Sequence, residues 1–354
     1  MSWDKVKLAD CCLSISDGDH QPPPKAVSGV PFVTIANINK SNQFDFSDTM
    51  FVPKDYYDRL DSKRKAQVGD ILYSVVGSFG IPVLIKEERP FVFQRHIAIL
   101  RPNERINSAF LYYTMLSRDF YAKADAAAIG AAQRTVSLTS LRGMEIELPP
   151  LKVQETIASK LSVYDNLIEN NQKQIKLLEE AARRLYKEWF VNFRFPGYED
   201  TPIVDGVPEG WEKAPIDSRI SLLSGYAFKS AQFDSSGEYK IVTIKNVKDG
   251  EFDGINTNRI VSIPGKMPKH CVLTDGDILL SLTGNVGRTY IVNGNNYLLN
   301  QRVAKLQSDI PAFTYCLFRS SDMFDAMNNL ANGTAQQNLS PIRTGKISIL
   351  FPAD

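Results

Sequence analysis

The sequence predicts an α+β protein in which two repeated mixed α/β domains are joined by a long coiled-coil helix. Three observations carry this prediction: a heptad pattern in the middle of the chain, short apolar runs punctuated by glycine, proline and asparagine on both sides of it, and colinear matches between the two sides. The predicted boundaries are 1–150 for the first domain, 151–195 for the helix, 196–210 for a connector and 211–354 for the second domain.

The central helix is predicted from about Gln154 to Phe190, because apolar residues there recur in alternating steps of four and three. A repeat of this length keeps one stripe of side chains facing a partner helix, and ~37 residues at ~1.5 Å each make a rod of about 55 Å. Asn171 is the one fully polar side chain on the stripe, where it would fix register or partner choice. An amphipathic helix lying on a globular domain is the alternative. We call this stripe the seam; it comprises Ile157, Leu161, Tyr164, Ile168, Asn171, Ile175, Leu178, Ala182, Leu185 and Trp189.

The first domain alternates apolar runs with turn residues, as mixed α/β domains do. A helical stretch is predicted from about Ala109 to Ala126, and a polar loop containing glycine follows it. A short strand, Met144 to Leu148, then precedes Pro149 and Pro150, which separate it from the central helix. The apolar runs are Phe32 to Ile38, Asp70 to Val76 and Phe91 to Leu100.

The second domain repeats the first at an offset of 203 to 209 residues. Shared turn chemistry explains one such match but not six in order, so we infer an internal duplication. The matching pairs are Trp3-Asp-Lys with Trp211-Glu-Lys, 33–38 with 242–247, 69–72 with 276–279, 74–80 with 281–287, 94–95 with 301–302, and 130–133 with 333–336. Residues 144–150 also match 347–353, after which the first copy enters its helix and the second reaches Asp354. The pattern predicts that a second, distal helix is missing from this sequence.

Composition narrows the class of protein. A net charge of +1, with 43% hydrophobic and 23% charged residues, is that of an ordinary globular chain and excludes a strongly basic, histone-like protein. The four cysteines form no Cys-x-x-Cys pair and the three histidines do not cluster with them, which argues against a zinc site or a disulfide framework. There is no apolar leader and no long apolar run, so we expect a cytoplasmic protein.

The common catalytic motifs are missing from the sequence. The segment from Gly284 to Thr289 lacks the Gly-Lys-Ser/Thr ending of a phosphate-binding loop. We find neither a Gly-x-Ser-x-Gly nucleophile turn nor a His-Glu-x-x-His zinc motif, and no Asn/Asp-Pro-Pro-aromatic motif of amino-methyltransferases. We therefore expect a chain that is not an enzyme and carries no metal or cofactor of its own.

Polar loops rich in Gln, Asn, Arg, Lys and Gly lie at matching places in both domains. These side chains can bond base edges, and glycine lets the backbone approach a phosphate, so the loops are candidates for DNA contact. They are also ordinary turn residues. Arg95 and Arg302 are equally compatible with internal ion pairs.

These features resemble the specificity subunit of type I restriction-modification systems. The resemblance rests on Asp17-Gly-Asp-His20, 224–230, the two Gly-Asp-Ile-Leu segments, the two Gly-x-x-Gln loops, and the run Leu148-Pro-Pro-Leu151-x-x-Gln154 followed by the coiled coil and 189–194. It implies that each repeat is a target recognition domain reading half of a bipartite DNA site. It also implies two antiparallel spacer helices, modification subunits that methylate adenine with S-adenosylmethionine, and restriction subunits bound through them.

The family's DNA-facing loops map onto thirteen side chains of this sequence. They are His20, Gln21, Lys25, Ser78, Gln133 and Arg134 in the first domain, and Tyr226, Lys229, Asn285, Arg288, Gln336, Gln337 and Asn338 in the second. Two other hypotheses remain open at this point: a coiled-coil scaffold with duplicated protein-binding domains, and an orphan DNA-binding regulator. Because its partner helix is missing, the seam is expected to pair with a second chain or with a partner subunit.

Overall fold

The structure is a computed structural model, and it describes residues 3–18, 23–39, 41–131, 133–248, 250–254, 256–331 and 337–352. The chain falls into two units, Met1–Gln174 and Ile175–Asp354. The division lies inside the central helix, which therefore contributes its first two thirds to one unit and its last third to the other.

The described part of the first unit forms three sheets. An antiparallel sheet has the strand order β2-β8-β5-β6, a second has the order β4-β3-β7 with β3 and β7 parallel, and β1 pairs with β9. The strands are β1 Asp4–Lys7, β2 Cys12–Asp17, β3 Val30–Val33, β4 Met50–Val52, β5 Ile71–Ser74, β6 Pro82–Leu84, β7 Val92–Phe93, β8 Ile97–Pro102 and β9 Glu145–Leu148.

Strand β5 lies at the centre of this unit and is buried on both faces. Ile71 and Tyr73 point into one apolar cluster, which also contains Phe120 from a helix. Leu72 points to the opposite face and packs in a cluster with Phe93. Because successive side chains of a strand alternate between faces, a run with no polar residue before Ser74 is what a doubly covered strand requires.

The helices of the first unit are α1 Lys54–Arg59, α2 Ser108–Leu116, α3 Arg118–Ala127, α4 Leu138–Gly143 and the central helix α5 Leu151–Tyr186. The single helical stretch predicted from Ala109 to Ala126 is wrong in one respect, because it is broken at Ser117. Ser117 has extended backbone angles, φ −66° and ψ 150°, and its side chain accepts a hydrogen bond from the backbone N–H of Phe120. A serine that caps the following helix ends the preceding one.

The central helix begins three residues earlier than predicted, at Leu151, directly after the two prolines. It has 36 residues, and a π-helical turn, Lys187–Val191, continues it. Its start is anchored by Gln154, whose side chain is 1% exposed. The Gln154 amide accepts a hydrogen bond from the N–H of Asn107 at 2.8 Å and donates to the carbonyls of Pro149 and Arg105 at 2.8 and 3.1 Å.

The second unit repeats the strand orders of the first. Its sheet β13-β22-β19-β20 corresponds to β2-β8-β5-β6, its parallel pair β14 and β21 to β3 and β7, and its pair β12 and β23 to β1 and β9. The strands are β10 Ile203–Val204, β11 Val207–Pro208, β12 Glu212–Pro215, β13 Ile220–Ser224, β14 Tyr239–Val242, β15 Val247–Lys248, β16 Glu251–Phe252, β17 Asn258–Ile260, β18 Val272–Leu273, β19 Ile278–Ser281, β20 Thr289–Ile291, β21 Tyr297–Leu299, β22 Val303–Ser308 and β23 Ser348–Phe351. The duplication inferred from the sequence is therefore present in the fold.

The remaining helices are α6 Pro311–Phe318, α7 Ser321–Ala331 and α8 Pro341–Gly345. Single turns of 3-10 helix lie at Leu8–Cys11, Ile35–Asn37, Ser62–Arg64, Tyr198–Asp200, Ile216–Ser218, Ser230–Gln232 and Lys269–Cys271. The predicted connector contains the short hairpin β10–β11. None of the described helices is long and apolar enough to cross a membrane.

Aromatic side chains fix the end of the central helix in the second unit. The ring of Phe190 lies 4.9 Å from the ring of Phe313 and 5.8 Å from that of Trp211, and Tyr186 also contacts Phe313. Aromatic pairs packed in this way contribute about 0.5–1.5 kcal/mol each beyond the area that they bury. Tyr186 and Phe190 thus pack against the core of the second unit.

Candidate nucleic-acid interface

A glycine-bounded turn projects from the central sheet at the same place in each unit. We call the segments Gly77–Gly80 and Gly284–Gly287 the glycine turns. In the first unit Ser74, which precedes the turn, bonds to the residues at its far end. The Ser74 carbonyl accepts from the N–H of Gly80 at 3.0 Å, and the Ser74 hydroxyl accepts from the N–H of Ile81 at 2.9 Å. Because the serine side chain bonds across the turn, the turn needs no ligand to hold its shape.

The second unit makes the same bonds with different residues. The carbonyl of Ser281 accepts from the N–H of Gly287 at 3.0 Å, and its hydroxyl accepts from the N–H of Arg288 at 3.0 Å. The two turns therefore share both of these hydrogen bonds.

A second loop is attached to each glycine turn. In the first unit the N–H of Gly77 donates to the carbonyl of Arg134 at 2.9 Å, and the N–H of Val136 donates to that of Val75 at 2.9 Å. In the second unit the N–H of Gly284 donates to the carbonyl of Gln337 at 3.1 Å. These bonds bring two loops that are more than 50 residues apart in sequence into one surface.

An aromatic ring supports the far end of each glycine turn. Gly80 has φ +93°, and a Cβ there would lie 2.6 Å from the ring of Tyr121 in α3. Gly287 has φ +79°, and a Cβ there would lie 3.3 Å from the ring of Phe324 in α7. Only glycine adopts these positive φ angles without strain and leaves room for the neighbouring ring, so the fold requires glycine at both positions. Tyr121 and Phe324 are 47% and 44% exposed, so each also presents an apolar surface beside the turn.

The exposed polar side chains on this surface are those that can read bases. Ser78 and Gln133 are exposed in the first unit, and Asn285 and Asn338 are exposed in the second. The hydroxyl of Thr283 donates to the side-chain carbonyl of Asn338 at 3.3 Å, which orients that amide. A side-chain amide donates and accepts at once, which is the pattern that an adenine edge requires.

Arg134 is not a free cation in this structure. Its guanidinium forms an ion pair with the carboxylate of Asp125 and donates to the Asp125 carbonyl. It also lies 5.3 Å from the centre of the Phe79 ring, which in turn stacks on Tyr121. These contacts show that Arg134 stabilises the first glycine turn.

The other predicted residues lie on separate loops. Lys25 is exposed beside Ala26, whose N–H donates to the carbonyl of Phe51. Tyr226 is half-buried with its ring 5.1 Å from that of Phe228, and Lys229 is exposed at the start of a 3-10 turn. These three side chains share no described contact with the glycine turns.

Two further predicted DNA-contacting side chains are half-buried, and three lie outside the described residues. Gln337 and Arg288 are half-buried beside the second glycine turn. His20, Gln21 and Gln336 lie outside the part of the chain that the structure describes. Arg95 and Arg302 are exposed and make no ion pair with the described residues, so an internal ion pair finds no support there.

Burial changes the ionisation of two groups near the first turn. Burial raises the pKa of the Tyr73 hydroxyl, which lies beneath Gly80 and has no hydrogen-bond partner among the described residues. Burial, followed by the charge of Arg95, lowers the pKa of His96. Both shifts favour the neutral form, so neither group supplies charge to the surface at neutral pH.

Most of the seam is exposed to solvent. Leu161, Tyr164, Ile168, Ile175, Leu178 and Leu185 are between 41% and 69% exposed, and Asn171 is exposed as well. Ile157, Ala182 and Trp189 are half-buried. In the first unit, polar groups of the helix make contacts with the domain: Asp165 accepts from Tyr113, and Glu169 accepts from Gln43. The seam is therefore an apolar stripe with little cover from the described residues.

No catalytic or metal centre is evident in the described part of the chain. Within it, no three His, Cys, Asp or Glu side chains lie close enough together to hold a metal ion. The four cysteines are free thiols, and burial raises the pKa of each. Raised thiol pKa values disfavour the reactive thiolate.

Tyr121 and Phe324 are not among the site residues predicted from the sequence. Their positions differ by 203 residues, which is within the range of the repeat offset. That coincidence was the available signal, but one side chain is tyrosine and the other phenylalanine, and neither lies in a polar loop.

Comparisons with known proteins agree with one another. A family model for the type I restriction modification DNA specificity domain matches residues 2–180 and 208–354. The putative type I restriction enzyme MjaX specificity subunit of Methanocaldococcus jannaschii is 29% identical over 298 residues, which are 80% of this chain and 67% of that protein. The MjaVIII specificity subunit of the same organism is 29% identical over 192 residues, 52% of this chain and 43% of that protein, so the alignment spans less than half of that second relative.

A solved structure has a similar fold. The crystal structure of the type I restriction-modification system S subunit from M. genitalium superposes with a TM-score of 0.61 at 16% identity, covering 99% of this chain and 85% of that one. At this identity the likeness concerns the fold.

Proposed function

We propose that this chain, which belongs to the family of type I restriction-modification DNA specificity domains, reads a bipartite DNA site with one repeat on each half. The observation that carries the proposal is the duplicated surface of a glycine turn and its attached loop. Each copy holds exposed polar side chains on backbone that is already bonded in place. A loop whose backbone is held before binding loses less entropy when its side chains meet a base.

In this proposal, the exposed loop side chains of the two units contact different halves of the DNA site. Ser78 and Gln133 contact bases of the first half-site, and Asn285 and Asn338 contact those of the second. Basic side chains such as Lys25 and Lys229 contact phosphates, which position the domain without reading sequence. A good bidentate contact to a base is worth ~1–3 kcal/mol of discrimination.

The chain would act with partner subunits and catalyse nothing itself. Modification subunits would bind S-adenosylmethionine and methylate adenine, and restriction subunits would join through them. We expect the assembly in the cytoplasm. The length of α5 would set the distance between the half-sites, because a helix of 36 residues at ~1.5 Å each spans about 54 Å.

The exposed seam fits pairing with a second helix. An apolar stripe of this length is costly in water, and a heptad stripe is matched best by another helix of the same kind. We propose that the same helix of a second chain, or a helix of a partner subunit, covers it. Light scattering of the purified chain at micromolar concentration tests self-association, and Leu178→Asp should shift the population towards monomer. A monodisperse wild-type monomer would exclude pairing with a second chain and leave the partner subunit.

The test of DNA recognition is the pattern of adenine methylation in cells that carry this gene with its modification partner. We expect a split motif. Gln133→Ala should relax one half of the motif and Asn285→Ala the other. If either variant loses both halves equally, the two repeats do not read independently. A scaffold protein would give no sequence enrichment in binding to random double-stranded DNA, with or without the modification subunit.

A further inference from the structure

The second unit contains a cleft beside the second glycine turn, with Gly287, Arg288 and Phe324 in its lining. It has a volume of about 630 Å³ and lies between the end of the central helix, the segment after the second glycine turn, and the start of α7. We call it the basic cleft and define it by Arg183, Lys187 and Arg288 together with Tyr186, Val191 and Phe324.

The charge of the cleft is unbalanced. Arg183, Lys187 and Arg288 form no ion pair with the described residues. Asp322 is the one acidic side chain that lines the cleft. Arg319, which also lines it, donates to Glu179 at 2.8 Å. Three cations against one carboxylate leave an excess of positive charge that attracts an acidic ligand.

The cleft also contains exposed apolar surface. Val191 is 49% exposed and Phe324 is 44% exposed, and both line the cleft together with the three cations. Apolar and charged side chains on one surface are typical of a protein–protein contact. The volume is within the range of cavities that hold a small ligand or an anchoring side chain.

The mixture of apolar and basic side chains in the lining distinguishes between two acidic partners, a DNA backbone and a protein segment. A DNA backbone would satisfy the cations, but surfaces that bind DNA are more polar and more uniformly basic than this one. A protein segment can supply carboxylates for the cations and one large apolar side chain for Val191 and Phe324. The lining therefore favours protein over nucleic acid.

We propose that the basic cleft docks an acidic segment of the modification subunit, with one large apolar side chain of that segment packed against Val191 and Phe324. The proposal rests on the proposed function, which supplies the partner. It locates the contact on the second unit and assigns the chemistry of the segment: at least two carboxylates beside a leucine, methionine or aromatic residue.

Charge reversal tests the proposal in the full-length chain. Arg183→Glu with Lys187→Glu should weaken binding of the purified modification subunit by about 10-fold or more, because opposite charges become like charges. The matched control is Arg184→Glu, one residue away, where the native side chain pairs with Glu180 and does not line the cleft. The control should change the affinity by less than about 3-fold, as expected of a rim charge.

A cross-link on the wild-type chain gives a readout that does not depend on the variants folding. A carbodiimide joins an amine to a carboxylate that it touches, without a spacer. In the complex, Lys187 should be joined to an Asp or Glu of the modification subunit, whereas Lys173, which bonds Glu169, should be joined within the chain.

Three outcomes would overturn the docking proposal. The double variant could bind the modification subunit normally with Lys187 not cross-linked to it. DNA affinity could instead fall equally for all sequences, with the salt slope reduced by about 2, which would identify a phosphate site. Or the wild-type chain could fail to bind the modification subunit at all. Sequence enrichment of the wild-type chain on random DNA tests the proposed recognition separately, so failure of one is not mistaken for failure of the other.

Discussion

The ring of Tyr121 lies so close to Gly80 that a Cβ at position 80 would be 2.6 Å from a ring carbon. The second unit has the same arrangement between Phe324 and Gly287. The side chains of the two turns differ, whereas the hydrogen bonds that Ser74 and Ser281 accept across them correspond. The shape of the turn is therefore the feature that both units share, and side chains can vary on it.

Alanine at either glycine should damage one unit and one half-site. Gly80→Ala forces a non-glycine residue to φ +93° and displaces Tyr121, at a cost of about 1–3 kcal/mol in the free energy of unfolding. Chemical denaturation measures the loss, and methylation sequencing should show a weakened first half-site. Gly287→Ala should do the same to the second.

Gly143→Ala is the control for this pair. Gly143 ends α4, has open space where a Cβ would be, and has no left-handed backbone angle. Alanine there should leave stability unchanged or raise it by about 0.4–1 kcal/mol. Equal damage from Gly143→Ala and Gly80→Ala would mean that the left-handed turn is not what makes Gly80 necessary.

Gln154 should be the most sensitive position at the start of the central helix. Gln154→Ala leaves a buried N–H and two carbonyls without partners, so the free energy of unfolding should fall by about 2–4 kcal/mol. Chemical denaturation followed by circular dichroism measures this. Gln174→Ala, at an exposed position of the same helix, should change it by less than about 0.5 kcal/mol. A loss as small as that of the control would show that water satisfies these groups.

Two neighbouring glutamates should differ in their contribution to the second unit. Glu179 pairs with Arg319, whose side chain is 9% exposed, whereas Glu180 pairs with Arg184, whose side chain is 77% exposed. Glu179→Gln should lower the free energy of unfolding by about 1–3 kcal/mol, because it removes the carboxylate that bonds a mostly buried guanidinium. Glu180→Gln should cost less than about 0.5 kcal/mol. Similar urea midpoints for the two variants would contradict this.

Acid should weaken the contact between the first domain and the helix through Glu169. The hydrogen bond from Lys173, with smaller contributions from Gln43 and Lys86, lowers the pKa of Glu169 in the folded chain. The unfolded state therefore binds more protons as the pH falls, so the stabilisation is present above about pH 4.3 and is lost as the pH drops through the folded pKa. Between pH 5 and pH 3, the thermal midpoint of wild type should fall more than that of Glu169→Gln. The difference should be small because the site is partly exposed. Glu155→Gln, exposed on the same helix, should follow wild type.

The sequence predicted well those features that depend on a regular spacing of residues along the chain. A heptad stripe identified α5, and a constant offset identified the duplication that the matching strand orders confirm. Other features were predicted less well, because neighbouring residues favour competing local structures. The stretch from Ala109 to Ala126 has helical composition throughout, yet Ser117 uses its hydroxyl to cap α3, and that choice ends α2.

The sequence by itself determined the two repeats, the helix between them and the polar loops as candidates for DNA contact, because each is a local pattern or a repeated one. Only the tertiary structure decided which loops meet. The contact of Gly77 with Arg134, the pairing of Arg134 with Asp125, and the ring beneath Gly80 all join residues that no period relates. The basic cleft likewise depends on three segments that approach one another only after the sheets have formed, since long-range packing brings them together.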